Sequence, residues 1–186
     1  MKSPGSSGSL RSAALIAMTA AVLCICSWLT VPFAVPFTMQ TFGVYAALLL
    51  LGGRRGLAAI GLYLLLGLAG LPVFSGFQGG PGHLLGPTGG YLLGFLLTGV
   101  WVLGIEGRLS RLPWLPRCLL LAAGLLPCYL AGTLWFTAVM SARGRETGFL
   151  SALLLCVLPY VLPDLLKLLL AELVAHRVKK ALHWEG

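Results

Sequence analysis

The stretch that decides the fold is Pro159–Leu173, PYVLPDLLKLLLAEL, within an apolar run that begins near Phe149. At more than about 20 residues, this run is long enough to cross a lipid bilayer as a helix. It nevertheless contains two charged residues, Asp164 and Lys167. A charge near the centre of a spanning helix costs about 3 kcal/mol on insertion scales, so we expect this pair to face a cavity, a partner or a ligand.

Asp164 and Lys167 are three residues apart and therefore share one face of the helix. They can bind one ligand together, or they can form a structural ion pair that needs no ligand. We expect Asp164 to be the only acidic side chain at membrane depth.

The composition predicts an all-α integral membrane protein. Of 186 residues, 58% are hydrophobic and 10% are charged, so the chain cannot cover itself with polar surface. Six spans of about 20 residues would use about 120 residues and leave only short loops. We predict one six-helix membrane domain over residues 10–180, a disordered polar tail at 1–9 and a basic or polar end at 181–186.

Several functional classes are disfavoured. The net charge of +8 comes from basic residues scattered between apolar segments, which does not indicate nucleic-acid binding. The five cysteines all lie in apolar segments without a CxxC pair, so we predict neither disulfides nor a metal site. No phosphate-binding loop or hydrolase motif is present, so we expect no catalytic residues, no cofactor and no ATP hydrolysis.

Apolar segments locate the six spans, which we predict at 10–30, 41–51, 57–71, 91–105, 118–140 and from 149 onward. Pro127 is expected to interrupt the fifth span. Small residues at four-residue spacing predict close helix packing through Gly86, Gly90 and Gly94. The first span carries a similar stripe, which can pack inside this protein or dock a partner helix: Ala13, Ala17 and Ala21.

The distribution of basic residues predicts the orientation. Six spans place both termini and the loops at 52–56 and 106–117 on one side, which then holds ten of the thirteen basic residues: Lys2, Arg11, Arg54, Arg55, Arg108, Arg111, Arg117, Arg177, Lys179 and Lys180. Because cytoplasmic loops carry the excess of Lys and Arg, we predict that both termini are inside. The uncharged loops at 31–40 and 72–89 then face outward.

Residues 72–90, PVFSGFQGGPGHLLGPTGG, contain seven glycines, three prolines and no acidic residue, Lys or Arg. Such a loop predicts a lid or pocket wall where backbone approaches a ligand or another helix. His83 is a candidate contact, and Phe37, Phe77 and Tyr91 are candidate walls for an apolar ring. The other candidate binding residues of this loop are Gln78, Gly79, Gly80, Gly89 and Gly90.

Five motifs together resemble the BioY family, the biotin-binding S components of energy-coupling factor (ECF) transporters. They are VPFTMQTFGVYAALLLLGGRRG (35–56), GLAGLPVF (67–74), QGG (78–80), GPTGGYLLGF (86–95) and PDLLK (163–167). The resemblance covers residues 13–181. It departs at Leu92, where some relatives carry a basic residue, and at Pro163, where the family often has Gly.

The resemblance implies a six-helix S-component fold that crosses the bacterial plasma membrane several times. It implies high-affinity capture of biotin in a pocket near the outer surface, closed by the loops after the first and third helices. It also implies partners, namely a transmembrane coupling (T) component and two ATPase subunits, with Ala13, Ala17 and Ala21 as the docking face.

The charged pair fits biotin, which offers a ureido ring, an apolar thioether ring and a carboxylate. Asp164 can accept the ureido N–H groups, while Lys167 can donate to the ureido oxygen or to the carboxylate. Two other classes stay open: a self-sufficient carrier that works without an ATPase, and an integral membrane enzyme.

Overall fold

The structure, a computed structural model, describes residues 6–32, 36–145 and 147–182. A short antiparallel hairpin, β1 (Thr30–Val31) and β2 (Phe37–Thr38), follows the first helix, and residues 33–35 at its tip lie outside the described residues. In chain order, the described α-helices are α1 (Ser6–Trp28), α2 (Gln40–Leu51), α3 (Gly53–Leu68), α4 (Pro81–Leu84), α5 (Gly89–Leu109), α6 (Trp114–Ala122), α7 (Leu125–Ala142), α8 (Phe149–Cys156) and α9 (Leu158–Leu182).

Three helical segments of the described chain are long and apolar enough to cross a membrane: Gly8–Trp28, Gly89–Leu109 and Trp114–Ala142. The pair α8 and α9, bent by 43°, makes a fourth if it counts as one span. α2 has only 12 residues, which makes it about 18 Å long against a hydrocarbon core of about 30 Å. Helix length alone therefore accounts for three or four of the six predicted spans.

Two predicted boundaries differ from the structure. α1 begins at Ser6, inside the segment predicted as a disordered tail, while residues 1–5 and 183–186 lie outside the described residues. The prediction that Pro127 interrupts the fifth span is wrong, because the break comes earlier, at Gly124. Pro127 instead lies in the first turn of α7, where a missing N–H costs no intrahelical hydrogen bond.

α2 lies at the centre of the bundle. Ten of its 12 residues are buried, and it packs against α1, α3, α5 and α9. The Tyr45 hydroxyl donates to the Leu121 carbonyl of α6 over 2.8 Å. Because α2 is enclosed by other helices, its apolar residues make the protein core.

α5 and α7 pack backbone to backbone, as the small-residue spacing predicts. A Cβ on Gly94 would lie 2.8 Å from Cys128 Sγ, and one on Gly90 would overlap the Trp135 side chain. Gly90 and Gly94 are therefore confirmed as a close-packing face. Gly86, the third predicted member, lies before α5, and a Cβ there would meet the His83 carbonyl oxygen of its own turn at 3.0 Å.

The predicted basic turn between the second and third helices is a single glycine, Gly52, at φ +82°. α3 begins at Gly53, whose N–H donates to Glu106 Oε1 of α5 over 2.9 Å. Arg54 and Arg55 are exposed in the first turn of α3. Glu106 therefore accepts a free N–H at the start of α3 and compensates the positive end of its helix dipole.

A second acidic side chain of α9, besides Asp164, is buried within the bundle. Glu172 of α9 is 6% exposed and forms an ion pair with Arg117 of α6, with 2.8 Å between Arg117 Nε and Glu172 Oε1. The pairing joins residues that are 55 positions apart, so no local pattern in either helix indicates it.

Candidate functional site

The site is built around Asp164 and Lys167 of α9, each 6% exposed. Lys167 Nζ lies 2.8 Å from Asp164 Oδ1, and the Tyr129 hydroxyl of α7 donates to Asp164 Oδ2 over 2.8 Å. Lys167 Nζ also lies 3.9 Å above the centre of the Phe37 ring, a cation–π contact. Each of these two buried charged side chains therefore already interacts with other side chains of the protein.

The charged pair opens into a cavity with about 670 Å³ of empty space, part of it open to the outside. The part of this space that the centres of water-sized molecules can occupy is about 80 Å³, which is below the range of about 300–1,000 Å³ that is usual for small-molecule sites. The cavity combines apolar and polar side chains from α2, α5, α7, α8, α9 and the two loops: Pro36, Thr38, Gln40, Thr41, Ser75, His83, Thr88, Tyr91, Leu92, Phe95, Leu125, Cys128, Tyr129, Cys156, Tyr160, Asp164 and Lys167.

Gln40, at the start of α2, is held by hydrogen bonds on both sides of its amide. Thr38 Oγ1 donates to Gln40 Oε1 over 2.8 Å, and Gln40 Nε2 donates to the Tyr63 hydroxyl over 2.6 Å. The network spans β2, α2 and α3 and is buried. It holds the polar side of the cavity in one geometry before a ligand arrives.

The glycine-rich segment is an ordered cover. Ser27 Oγ of α1 donates to the Val73 carbonyl over 2.6 Å, and Trp28 Nε1 donates to the Pro72 carbonyl over 2.9 Å. Phe74 is fully buried, whereas Phe77 is 64% exposed and stacks on Trp28. Phe77 is therefore not the cavity wall that the sequence suggests.

His83 of α4 connects this cover to the cavity that it lines. Its Nδ1 lies 2.8 Å from Gln78 Oε1, and its ring stacks on Phe74 with 5.1 Å between ring centres. Partial burial lowers the pKa of His83 below its usual value, because burial disfavours the charged imidazolium. Gln78 is exposed and reaches the cavity only through His83.

The model of the BioY family matches residues 1–184. The chain belongs to the BioY family. A relative from Pyrococcus horikoshii named "Probable biotin transporter BioY" is 37% identical over 171 residues, which cover 91% of this chain and 96% of the relative. The "Biotin transporter BioY" of Thermotoga maritima is 36% identical over 162 residues, 86% of this chain and 90% of that one.

One solved structure has the same fold. It is described as the S-component for biotin from an ECF-type ABC transporter, and it superposes with a TM-score of 0.83. The match covers 96% of this BioY-family chain and 95% of the other, at 24% sequence identity. At that identity, the similarity shows the fold alone. Together with the apolar helices, family membership makes this chain a membrane protein.

Tyr91 lines the cavity of this BioY-family chain, with its hydroxyl 3.3 Å from Thr133 Oγ1. The predicted glycines Gly79, Gly80, Gly89 and Gly90 are not among the lining residues. Three of them meet protein atoms instead: a Cβ on Gly79 would overlap the Leu71 carbonyl oxygen, one on Gly89 would overlap that of Leu84, and one on Gly90 would overlap Trp135, whereas one on Gly80 would have nothing within 4 Å. Gly80 adopts φ +87°. A role for these four glycines toward a ligand stays a prediction.

Sequence reasoning missed Tyr129 and Gln40, the two residues that hold most of the polar geometry. Tyr129 is a hydrogen-bonding side chain in an otherwise apolar stretch, and Gln40 lies with Thr38 and Thr41 in an uncharged polar cluster before an apolar run; these are the signals that could have indicated them. Nothing local shows that Tyr129 meets Asp164, 35 residues later.

Proposed function

We propose that this chain captures biotin at the outer face of the membrane as the substrate-specific subunit of an ECF-type ABC transporter. The observation that carries the proposal is the buried Asp164–Lys167 pair facing a cavity, in a chain whose relatives are named biotin transporters. The chain performs no chemical step of its own.

The chemistry of the pair suits the ureido ring. A carboxylate offers about four acceptor positions, and the protein's donors Tyr129 and Lys167 use one on each oxygen. The remaining positions of Asp164 can accept one ureido N–H group, while the adjacent Lys167 donates to the neighbouring ureido oxygen. Leu92, Phe95 and Leu125 supply apolar contacts for the thioether ring.

We further propose six membrane crossings with both termini in the cytoplasm of a bacterial cell. α2 and α3 would each cross as short helices inside the bundle, which the burial of α2 supports. Arg54, Arg55, Arg108 and Arg111 are exposed at the end of the bundle that this topology assigns to the cytoplasm. The cavity then opens outward, under the segment 72–88.

Release of the substrate requires partners, because the sequence has no nucleotide-binding motif. We propose a transmembrane coupling component and two ATPase subunits. The face offered to the coupling component is the stripe Ala13, Ala17 and Ala21, which is exposed on α1 and so is not used for packing within the described chain.

The test is to identify, by mass spectrometry, the small molecule that co-purifies with the chain, and then to titrate the emptied chain with biotin and dethiobiotin. Tight binding of biotin supports the proposal, and absence of binding contradicts it. Uptake is then measured in cells with and without the ATPase genes. Uptake that persists without any ATPase would make the chain a self-sufficient carrier.

A further inference from the structure

The charges at the cavity leave one end of an acidic ligand without a partner. Among the described lining residues, Asp164 and Lys167 are the acidic and the basic side chain, and His83 is the side chain whose type titrates near neutral pH. Asp164 and Lys167 compensate each other at 2.8 Å. A ligand carboxylate therefore brings an extra negative charge into a partly enclosed site, which is costly unless a donor or a cation meets it.

The carboxylate is best placed away from Asp164, because like charges repel. The cavity has a second polar group on its loop side: Ser75, His83 and Thr88. Ser75 and Thr88 offer neutral hydroxyl groups, so His83 is the member of this group that can become a cation. Leu92, the residue after Tyr91, is apolar and offers neither charge nor donor in its side chain.

His83 is oriented before a ligand binds. Its ring stacks on the fully buried Phe74 at an interplanar angle of 17°, and Nδ1 lies 2.8 Å from Gln78 Oε1. With the Gln78 amide oriented so that Oε1 faces the ring, this oxygen accepts, and Nδ1 is then the protonated nitrogen of the neutral ring. A second proton would therefore reside on Nε2, and the resulting imidazolium could donate a charge-assisted hydrogen bond to a carboxylate.

The groups that face His83 allow a bound ligand to change its protonation state. α4 packs against α3 and α5. On α3, Tyr63 meets the edge of Phe74, while Arg54 and Arg55 lie at the far end of that helix. On α5, Tyr91 lies at the near end, and Glu106 and Arg108 lie at the far end. Burial is the cause that lowers the pKa of His83, so the ring is mostly neutral at pH 7 in the empty site.

We propose that His83 binds the carboxylate of the ligand, and that an acidic ligand therefore binds together with a proton. This inference rests on the proposed function and extends it to the charged end of the substrate. A bound carboxylate favours the imidazolium and raises the pKa of His83. Affinity for the acid is then highest at low pH and falls as the pH rises from the pKa of the empty site to that of the occupied site.

The experiment is calorimetric titration of the purified full-length chain with biotin and with biotinamide, which has the same rings and no carboxylate. Titrations run from about pH 6 to about pH 8, where His titrates and a carboxylic acid is ionised. Buffers of different ionisation enthalpy give the number of protons taken up. We expect uptake of up to one proton with biotin, an affinity that falls up to about tenfold per pH unit, and neither effect with biotinamide.

His83→Gln keeps a polar side chain but cannot become charged. We expect it to abolish proton uptake and to weaken biotin about tenfold to a hundredfold at the low-pH end, with biotinamide affinity unchanged. The matched control is His176→Gln, because His176 is exposed on α9 and does not line this cavity. It should behave as the unmodified chain does.

Equal proton uptake with biotin and biotinamide, or full retention of uptake in His83→Gln, would overturn the inference. The comparison of the two ligands on the unmodified chain decides the question even if the variant does not fold. If the unmodified chain binds neither ligand, the proposed function itself fails. Tight biotin binding without proton uptake would contradict the role proposed for His83 but not the proposed function.

Discussion

At the scale of single residues, Asp164 is held in place before any ligand arrives. Tyr129 and Lys167 each donate to one of its oxygens, and Phe37 lies against the ammonium group of Lys167. Because these side chains are already ordered, a ligand does not bear the entropic cost of ordering them. High affinity at this site therefore depends on the integrity of the whole group.

Removing one charge of the pair should abolish tight binding. Asp164→Asn leaves Lys167 as a buried, uncompensated cation, and Lys167→Ala leaves Asp164 as a buried acidic side chain whose remaining partner is the Tyr129 hydroxyl. We expect each variant to weaken biotin at least about a hundredfold, because a buried charged partner is left unpaired. Titration calorimetry of the purified variants measures the loss. Unchanged affinity in both would make the pair purely structural.

Tyr129→Phe tests the positioning of Asp164 without changing any charge. Loss of a hydrogen bond to a charged group predicts biotin binding about tenfold weaker. Tyr45→Phe is the matched control, because Tyr45 is buried, donates to a backbone carbonyl and does not line the cavity. It should lower the melting temperature while leaving affinity unchanged. Equal losses of affinity in the two variants would show that Tyr129 has no specific role.

Two glycines of α5 differ sharply in what surrounds them. A Cβ on Gly90 would overlap Trp135, whereas one on Gly104 would have nothing within 4 Å. We expect Gly90→Ala to destabilise the protein by about 1–3 kcal/mol through overpacking. Gly104→Ala should stabilise it by about 0.5–1 kcal/mol through helix propensity. Thermal unfolding in detergent compares the two, and melting shifts of the same sign would contradict this account of α5 packing.

At the scale of elements, the ion pair between α6 and α9 holds two helices that are distant in sequence. Arg117→Gln leaves Glu172 buried without a cation; because the Arg117 side chain is 30% exposed, water offsets part of the loss, and we expect a cost of about 1–3 kcal/mol of stability. Arg111→Gln is the control, because Arg111 is exposed on the loop before α6. Both are measured by thermal unfolding.

The double variant Arg117→Gln with Glu172→Gln distinguishes two effects on stability. One is the lost attraction between the two charges, and the other is the cost of leaving one charge buried without a partner. With both charges gone, we expect much of the stability to return, since an uncompensated buried charge accounts for most of the cost. A double variant no more stable than Arg117→Gln alone would mean that the lost attraction itself, and not the unpaired buried charge, is the main cost.

At the scale of the whole molecule, we expect a substitution in the alanine stripe to affect transport without affecting biotin binding. Ala13, Ala17 and Ala21 are exposed on α1, so a large side chain there should not disturb the described bundle. Ala17→Trp should leave biotin binding by the isolated chain intact, while it prevents co-purification of the coupling component and stops ATP-dependent uptake.

Ala138→Trp is the control for this variant, because Ala138 is an exposed alanine on a different helix, α7. It should transport at the original rate. If Ala17→Trp also transports at that rate, the docking surface lies elsewhere on the bundle.

The amino-acid sequence by itself determined the protein class, the helical segments, the family and the shared face of Asp164 and Lys167. These features follow from local composition, helix periodicity and contiguous motifs, which do not depend on the packing of distant segments. The close-packing face at Gly90 and Gly94 was predictable for the same reason.

Only the tertiary structure decided which distant residues meet. Tyr129 reaches Asp164, Arg117 pairs with Glu172, and Gln40 bonds to Tyr63 across separations of 35, 55 and 23 residues. It also decided that the α6–α7 break is at Gly124, where the carbonyl accepts from Thr98 Oγ1 over 2.8 Å. A buried polar group must find a partner, and in a helical bundle the partner is commonly on another helix, so its identity depends on how the helices pack.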